Sequence, residues 1–370
     1  MGIRGRSSGR VRPLACALGL ALGCAASASA AGKVDPETRR FESPGRPKVE
    51  FIAEGDRVFR LLPEDAIAAI DDPEMISAFE AAGIMQDNEP VLGVFDGNQA
   101  RAYPTWYLDA HEVVNDRLGD TPIAATWCPL ANTGVVYVRQ VDGEETTFGV
   151  SGALWRDSLV LFDRKTSSYW SQVTGKAIRG PQQDTILTEV PSVTTTWDAW
   201  KRLHPETRVL RPDEGSRSGS PFAGYFEDSG RLGITRGIKA DRRLPGKSLV
   251  VGIHEDDAAT AVLLDSLSDL AVVQGSVNKT PVAVVSVASR GGFGYDRRLS
   301  GRTLDFEAGE KGRLRDLQTG STWDPESGRA LEGPLAGQTL RRIASRPAYW
   351  FIWVTFHPAT DILGQAATRR

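Results

Sequence analysis

Apolar and polar positions alternate with a period of two over 91–95, 123–127, 135–141, 146–150 and 159–163, and β-branched residues concentrate in the same runs. A strand is expected at each. Two shorter ones are expected over 49–52 and 58–61, and Asp142-Gly143 is a hairpin turn signal. Helical periodicity is confined to short stretches. Pro63-Glu64-Asp65 opens one that runs to about Ile70, and Asp72, as N-cap, opens another that stops at Gly83. A third begins at Pro104 and ends at His111, with Asn115 one turn further on the same face. A fourth is capped by Thr196, spans Trp197 to Leu203, and is stopped by Pro205. The expected fold is mainly β (α+β), antiparallel, with short peripheral helices.

The pattern occurs twice. Asp163, Trp170, Gly175, Gly180-Pro181, Trp197, Trp200 and His204-Pro205 recur as Asp316, Trp323, Gly328, Gly333-Pro334, Trp350, Trp353 and His357-Pro358, all at one interval. Upstream, Gly93 and Thr121-Pro122 recur as Gly252 and Thr280-Pro281 at a slightly longer one. Matched tryptophans at constant spacing point to an internal duplication. The expected organisation is a first β-rich repeat over 89–210, a Gly/Ser/Arg-rich connection over 211–246, and a second, degenerate structural repeat over 247–363. Residues 31–88 form a leader and helical segment.

Composition changes the picture mainly at the N-terminus. Arg4, Arg6, Arg10 and Arg12 precede an apolar run from Leu14 to Leu22 and a small-residue stretch ending Ala28-Ser29-Ala30. This is the layout of a signal peptide over 1–30, so the mature chain is expected to be exported, periplasmic or secreted. Cys24 offers a lipid-anchored alternative. No later segment is apolar for long enough to be expected as a transmembrane helix. The 370 residues carry a formal charge of −3 without a basic cluster after the N-terminus, which argues against a nucleic-acid partner. Removal of the leader takes Cys16, and with cleavage after Ala30 also Cys24, leaving Cys128 as the single thiol.

Cys128 sits at the end of an expected strand, and His111 precedes it in the same polar-rich stretch. In the second repeat the His111 and Cys128 positions are Leu270 and Val287, while Glu112, Asn115 and Asp116 are replaced by Ala271, Gln274 and Gly275. The candidate site is therefore Cys128 and His111, with Glu112, Asn115, Asp116 and Ser151 around them. HEVVN is not a zinc-peptidase helix, because Asn115 stands where the second histidine is needed. The open roles for His111 are a metal ligand, a base that lowers the Cys128 pKa, or a hydrogen-bonded structural ring. Cys128 is either a working thiol or a core residue. His204 and His357 are expected at helix C-termini, and His254, opposite Phe95 in the other repeat, is expected to face solvent.

The motifs HEVVND, TWCPLANTG, FGVSG and WSQVTGKAIRGP resemble those of the domain-of-unknown-function 3179 family, a resemblance that covers about residues 50 to 363. Members of that family are exported or membrane-associated microbial proteins. They commonly read CPLC where this chain reads Cys128-Pro129-Leu130-Ala131, and some place selenocysteine in the motif. The resemblance implies dithiol or selenol redox chemistry, or soft-metal binding, and implies no substrate. Ala131 removes the second sulfur, so a local CxxC disulfide cannot close here.

Two functions from different classes remain. One is a Cys/His site for thiol redox chemistry or a soft transition metal, copper or zinc, acting on a small molecule, a metal or a thiol partner. The other is a non-catalytic envelope binding or scaffold protein that uses a cleft between the two repeats. The first requires an accessible thiol of depressed pKa, and the second permits a silent buried one.

Overall fold

The computed structural model describes residues 48–364 apart from 217–218, 236–237, 239–240, 265–266, 268–269 and 288–290. The proposed signal peptide, with Cys16 and Cys24, lies outside the described residues. The fold is β-rich with five short α-helices among the described residues, as the two-residue periodicity requires.

Three pairs of sheets share one strand order. Ser192–Thr196, Pro90–Phe95, Ala100–Pro104 and Arg208–Leu210 run side by side, as do Arg346–Tyr349, Leu249–Glu255, Ala258–Leu263 and Asp361–Leu363. In each set only the last pairing is parallel. Glu189–Val190, Thr133–Val138, Thr121–Cys128 and Val113–Leu118 correspond in the same way to Arg342–Ile343, Gly291–Asp296, Thr280–Val287 and Leu270–Val277. Phe148–Trp155, Ser158–Asp163, Tyr169–Ser171 and Ala177–Arg179 correspond to Phe306–Ala308, Leu314–Asp316, Thr322–Trp323 and Ala330–Glu332.

The recurring residues explain the recurring geometry. Asp163 accepts hydrogen bonds from the Thr166 amide and hydroxyl, the Ser168 amide and the Trp170 indole. Asp316 accepts the same four from Thr319, Ser321 and Trp323. One buried carboxylate thereby satisfies a whole turn and anchors a fully buried tryptophan beside it. Gly93 and Gly252 leave room for the rings of Trp200 and Trp353, where a Cβ would lie within about 2.5 Å of ring carbon.

The two halves do not have separate interiors. Tyr349, Phe351 and Ile352 pack in one cluster with Cys128, Val135, Phe148 and Trp170, while Val193 and Trp200 pack with Phe293 and Tyr295. Buried Arg346 crosses between them, donating to the Val173 carbonyl at 2.6 Å and to Glu189 at 2.6 Å.

Four local expectations need correction. Residues 63–70 form no helix: Asp65 has a positive φ of 54°, and Ile70–Asp71 is a strand beside Val114 and Asn115. Asp72 is no helix cap, with φ of 49°; the chain extends through Met75–Ser77, and a four-residue helix, Ala78–Ala81, starts at Ser77 in a capping box with Glu80. The segment described as helical is therefore mostly strand and turn. The helix after Pro104 is only Thr105–Leu108, and Asn115 belongs to a strand, so His111 and Asn115 do not share a helical face. His254 is not solvent-facing: it stacks on His357 at 5.1 Å and lies 3.3 Å from Arg346, the place that Phe95 takes against His204. The Trp197–Leu203 helix with its Thr196 cap is as expected, and His204 and His357 are the C-cap residues of their helices.

Candidate functional site

Both faces of Thr121–Cys128 are buried. Ala124 and Cys128 point into the cluster that contains Val135, Phe148 and Leu161, while Ile123, Ala125 and Trp127 point into the one that contains Leu92, Tyr103 and Leu108. The strand ends at a turn in which the Ala131 amide donates to the Cys128 carbonyl at 3.2 Å. The turn is held from outside. Tyr225 donates its hydroxyl to the Leu130 carbonyl at 2.9 Å, and the Tyr349 amide donates to the Ala131 carbonyl at 2.9 Å.

The sulfur is 1% exposed. Burial, and next the neighbouring Glu112 carboxyl, push the thiol up to about 12, against the opposing pull of the Leu159 and Ala131 amides and the Ser158 hydroxyl. The resting group is therefore a thiol at neutral pH. This reverses the depressed pKa expected of a reactive cysteine.

Glu112 is the unusual residue. It has a positive φ of 59°, a conformation that costs a non-glycine residue on the order of 1 kcal/mol or more. The strain is imposed from both sides: its amide donates to the Leu108 carbonyl at 2.7 Å, and its carbonyl accepts the Trp127 amide at 2.8 Å. Glu112 is 7% exposed. Burial, helped by Asp109, raises it to about 8, so the neutral acid predominates at pH 7. Asp109 is raised to about 6 by burial, partly offset by hydrogen bonds from Ser220 and from the Trp127 indole at 2.8 Å.

The remaining expected site residues have other partners. The His111 ring sets Nδ1 at 2.9 Å from the Ala68 carbonyl and packs on Tyr107 at 4.6 Å. The structure thus brings Glu112, not His111, into the electrostatic surroundings of Cys128. Asn115 donates to the Phe148 carbonyl at 2.8 Å and accepts the Phe148 amide at 2.9 Å. Gln274 makes the same two bonds with Phe306, so the amide at this position ties strand to strand in both halves. Asp116 accepts from Tyr103 at 2.8 Å and faces Arg101 at 3.6 Å. Ser151 donates to Val160 at 2.5 Å and accepts the Ala153 amide at 3.0 Å, stabilising an irregular stretch of its strand.

Among the described residues no three His, Cys, Asp or Glu side chains gather as metal ligands. The donor set therefore does not fit the copper or zinc reading.

A family model described as a protein of unknown function, DUF3179, matches residues 64–360. The chain belongs to the DUF3179 family. No curated protein and no solved structure matches it. The site lies within the matched region, and Ala131 follows Leu130 inside it. Among the described residues no helix is long and apolar enough to cross a membrane.

Sequence reasoning singled out Glu112 as an accessory and missed Asp109, Ser158 and Tyr225. Asp109 stands two residues before His111, so its acidity was visible. Its burial was not, because that depends on Trp127 and Ser220 closing over it.

Proposed function

We propose that this chain is an exported DUF3179 protein whose working group is the Cys128 thiol, used in redox chemistry with an outside reactant, and that Glu112 is the proton acceptor. The observation that carries this reading is a buried carboxyl, Glu112, held in left-handed backbone and acting on a buried sulfur that the Ser158 hydroxyl also reaches. Burying such a carboxyl is costly, and groups of this kind concentrate at functional sites.

The chemistry follows from the protonation states. A buried thiol has to lose its proton in the step in which it reacts, and Glu112 is the base at hand when ionised. The Leu159 and Ala131 amides then stabilise negative charge that develops on sulfur. Asp109 keeps Glu112 basic by disfavouring its charged form. Export is supported by the arginines and apolar run that precede Ala30. The matched sheet orders and the Asp163 and Asp316 turns support an origin of 89–210 and 247–363 as copies of one unit, with the chemistry kept in the first.

The burial of the thiol favours a second reading, a non-catalytic binding protein. Its cleft would be the groove of about 860 Å³ lined by Trp106, Tyr107, Asp72 and Asp213. Native-state alkylation separates the two. The full chain is treated with iodoacetamide, with Cys128→Ser as control. Alkylation that proceeds in the folded protein supports the thiol reading. Alkylation that occurs only at the rate of global unfolding leaves Cys128 a core residue and favours the binding protein.

A further inference from the structure

The groups around the sulfur also point to a substrate class, an inference that rests on the thiol reading above. Thr133 pairs directly with Cys128 across the ladder, so the two side chains leave the same face of the sheet. Thr133 is 1% exposed and its Oγ1 has no partner among the described residues. Gln172 lies over the same face: its amide nitrogen donates to Thr126 Oγ1 at 3.1 Å and to the Thr133 carbonyl at 3.4 Å. Its Oε1 is fully buried and also without a partner. The Gln172 backbone amide donates to the carbonyl of Leu159, whose own amide acts on the sulfur. Two buried polar atoms on the sheet face that carries Cys128, Thr133 Oγ1 and Gln172 Oε1, are thus unpaired among the described residues, and the Ser158 hydroxyl and Glu112 carboxyl act on the same sulfur. Buried polar groups are overwhelmingly paired, so their concentration at one place marks a site built for a polar visitor.

The chemistry of the lining limits that visitor. It offers hydroxyls that donate and accept, an amide oxygen that accepts, and a carboxyl. The groups acting most on the sulfur are a carboxyl, two backbone amides and a hydroxyl, none of them a cation, so an anion would find no countercharge. Behind them stand Val135, Leu159 and Leu161, which leave little room for a bulky ligand.

We propose that the Cys128 site takes hydrogen peroxide, the small uncharged oxidant whose two donors and two acceptors match this lining. The sulfur attacks one peroxide oxygen, an S–O bond forms and the O–O bond breaks. The thiol proton passes to the Glu112 carboxylate and from it to the departing hydroxide, which leaves as water. Sulfur is oxidised to the sulfenic acid and the peroxide is reduced. Thr133, Ser158 and Gln172 are positioning residues for the peroxide.

The test uses the full chain, with hydrogen peroxide and iodoacetamide applied in parallel and sulfenic acid trapped by dimedone. Hydrogen peroxide should oxidise Cys128 at least roughly tenfold faster than it oxidises free cysteine at the same pH, and faster than tert-butyl hydroperoxide does. Thr133→Val should slow the peroxide reaction severalfold and leave the iodoacetamide rate unchanged, a ratio that loss of stability alone would not produce. If iodoacetamide modifies the folded chain but peroxide reacts no faster than with free cysteine, the orphaned groups hold buried water only. The inference then falls while the thiol reading stands. If neither reagent modifies the folded chain, both fall.

Discussion

The Tyr349 amide donates to the carbonyl of Ala131 at 2.9 Å, so the turn that carries Cys128 is fastened by the far half of the chain. Arg346, three residues earlier, inserts its guanidinium between Val173 and Glu189 of the first half. Cys128 is thus protected by contacts that bridge the halves as well as by its own strand.

Arg346→Ala should therefore cost about 3–5 kcal/mol in denaturant unfolding, because it leaves Glu189 without its charge partner and the Val173 carbonyl without its donor. It should also speed alkylation of Cys128 by loosening the strand that holds the turn. Loss of stability with an unchanged alkylation rate would show that the turn does not depend on the second half.

The pH dependence of stability has opposite signs on its two limbs. Glu112 is raised from 4.5 to about 8, so the folded state keeps a proton that the unfolded chain releases. This contribution is complete below about pH 4.5 and disappears as pH rises through about 8. His254 and His357 are lowered by burial, to about 4 and about 3, with Arg346 adding to the effect on both and His254 adding to that on His357. Their contribution is present above 6.5 and is lost as pH falls toward those values. Unfolding midpoints at about pH 5, 7 and 9 check this: Glu112→Gln should lessen the decline from pH 7 to 9 and, because Glu112 opposes the histidines between about 4.5 and 8, deepen the decline from pH 7 to 5.

Asp163 and Asp316 each organise a turn through the same four hydrogen bonds. Asp163→Asn and Asp316→Asn should cost similar amounts, about 1–3 kcal/mol each, and add in the double variant. Markedly unequal costs would mean that the two turns are not equivalent in the fold.

Ala131→Cys would give the turn a Cys-Pro-Leu-Cys sequence. The Ala131 amide bonds to the Cys128 carbonyl, a turn geometry whose ends approach to under about 7 Å, within reach of a disulfide. Mild oxidant should remove both thiols from this variant with loss of two hydrogens, and reductant should restore them. Two persistent thiols would show that the turn as built here does not admit the bridge.

What the sequence displayed and what it concealed divide along physical lines. Strands with strong two-residue alternation were legible, and so was the Trp197–Leu203 helix, whose cap and proline stop are local signals. The segment 63–83 misled because Asp65 and Asp72, read as helix starters, instead adopt left-handed backbone. At the site, comparison of the repeats drew attention to the stretch from His111 to Cys128, in which the structure sets Glu112 near the sulfur and gives His111, Asn115 and Asp116 other partners. Asn115 looked particular to the first repeat until Gln274, one methylene longer, proved to make the same bonds. Glu112 became central only when folding placed it opposite Trp127, with its side chain buried. Thr133 and Gln172 carry no sequence signal, since an orphaned hydroxyl or amide is defined by its surroundings.

The pH profile of Cys128 alkylation in the folded chain, measured beside Glu112→Gln, tests the pairing of these two residues most directly. With Glu112 as proton acceptor, the rate should rise through about pH 8, following the carboxyl, and the variant should lose that step and react only as pH approaches the thiol's own range near 12. Identical profiles for the two proteins would contradict a working Cys128 and Glu112 pair.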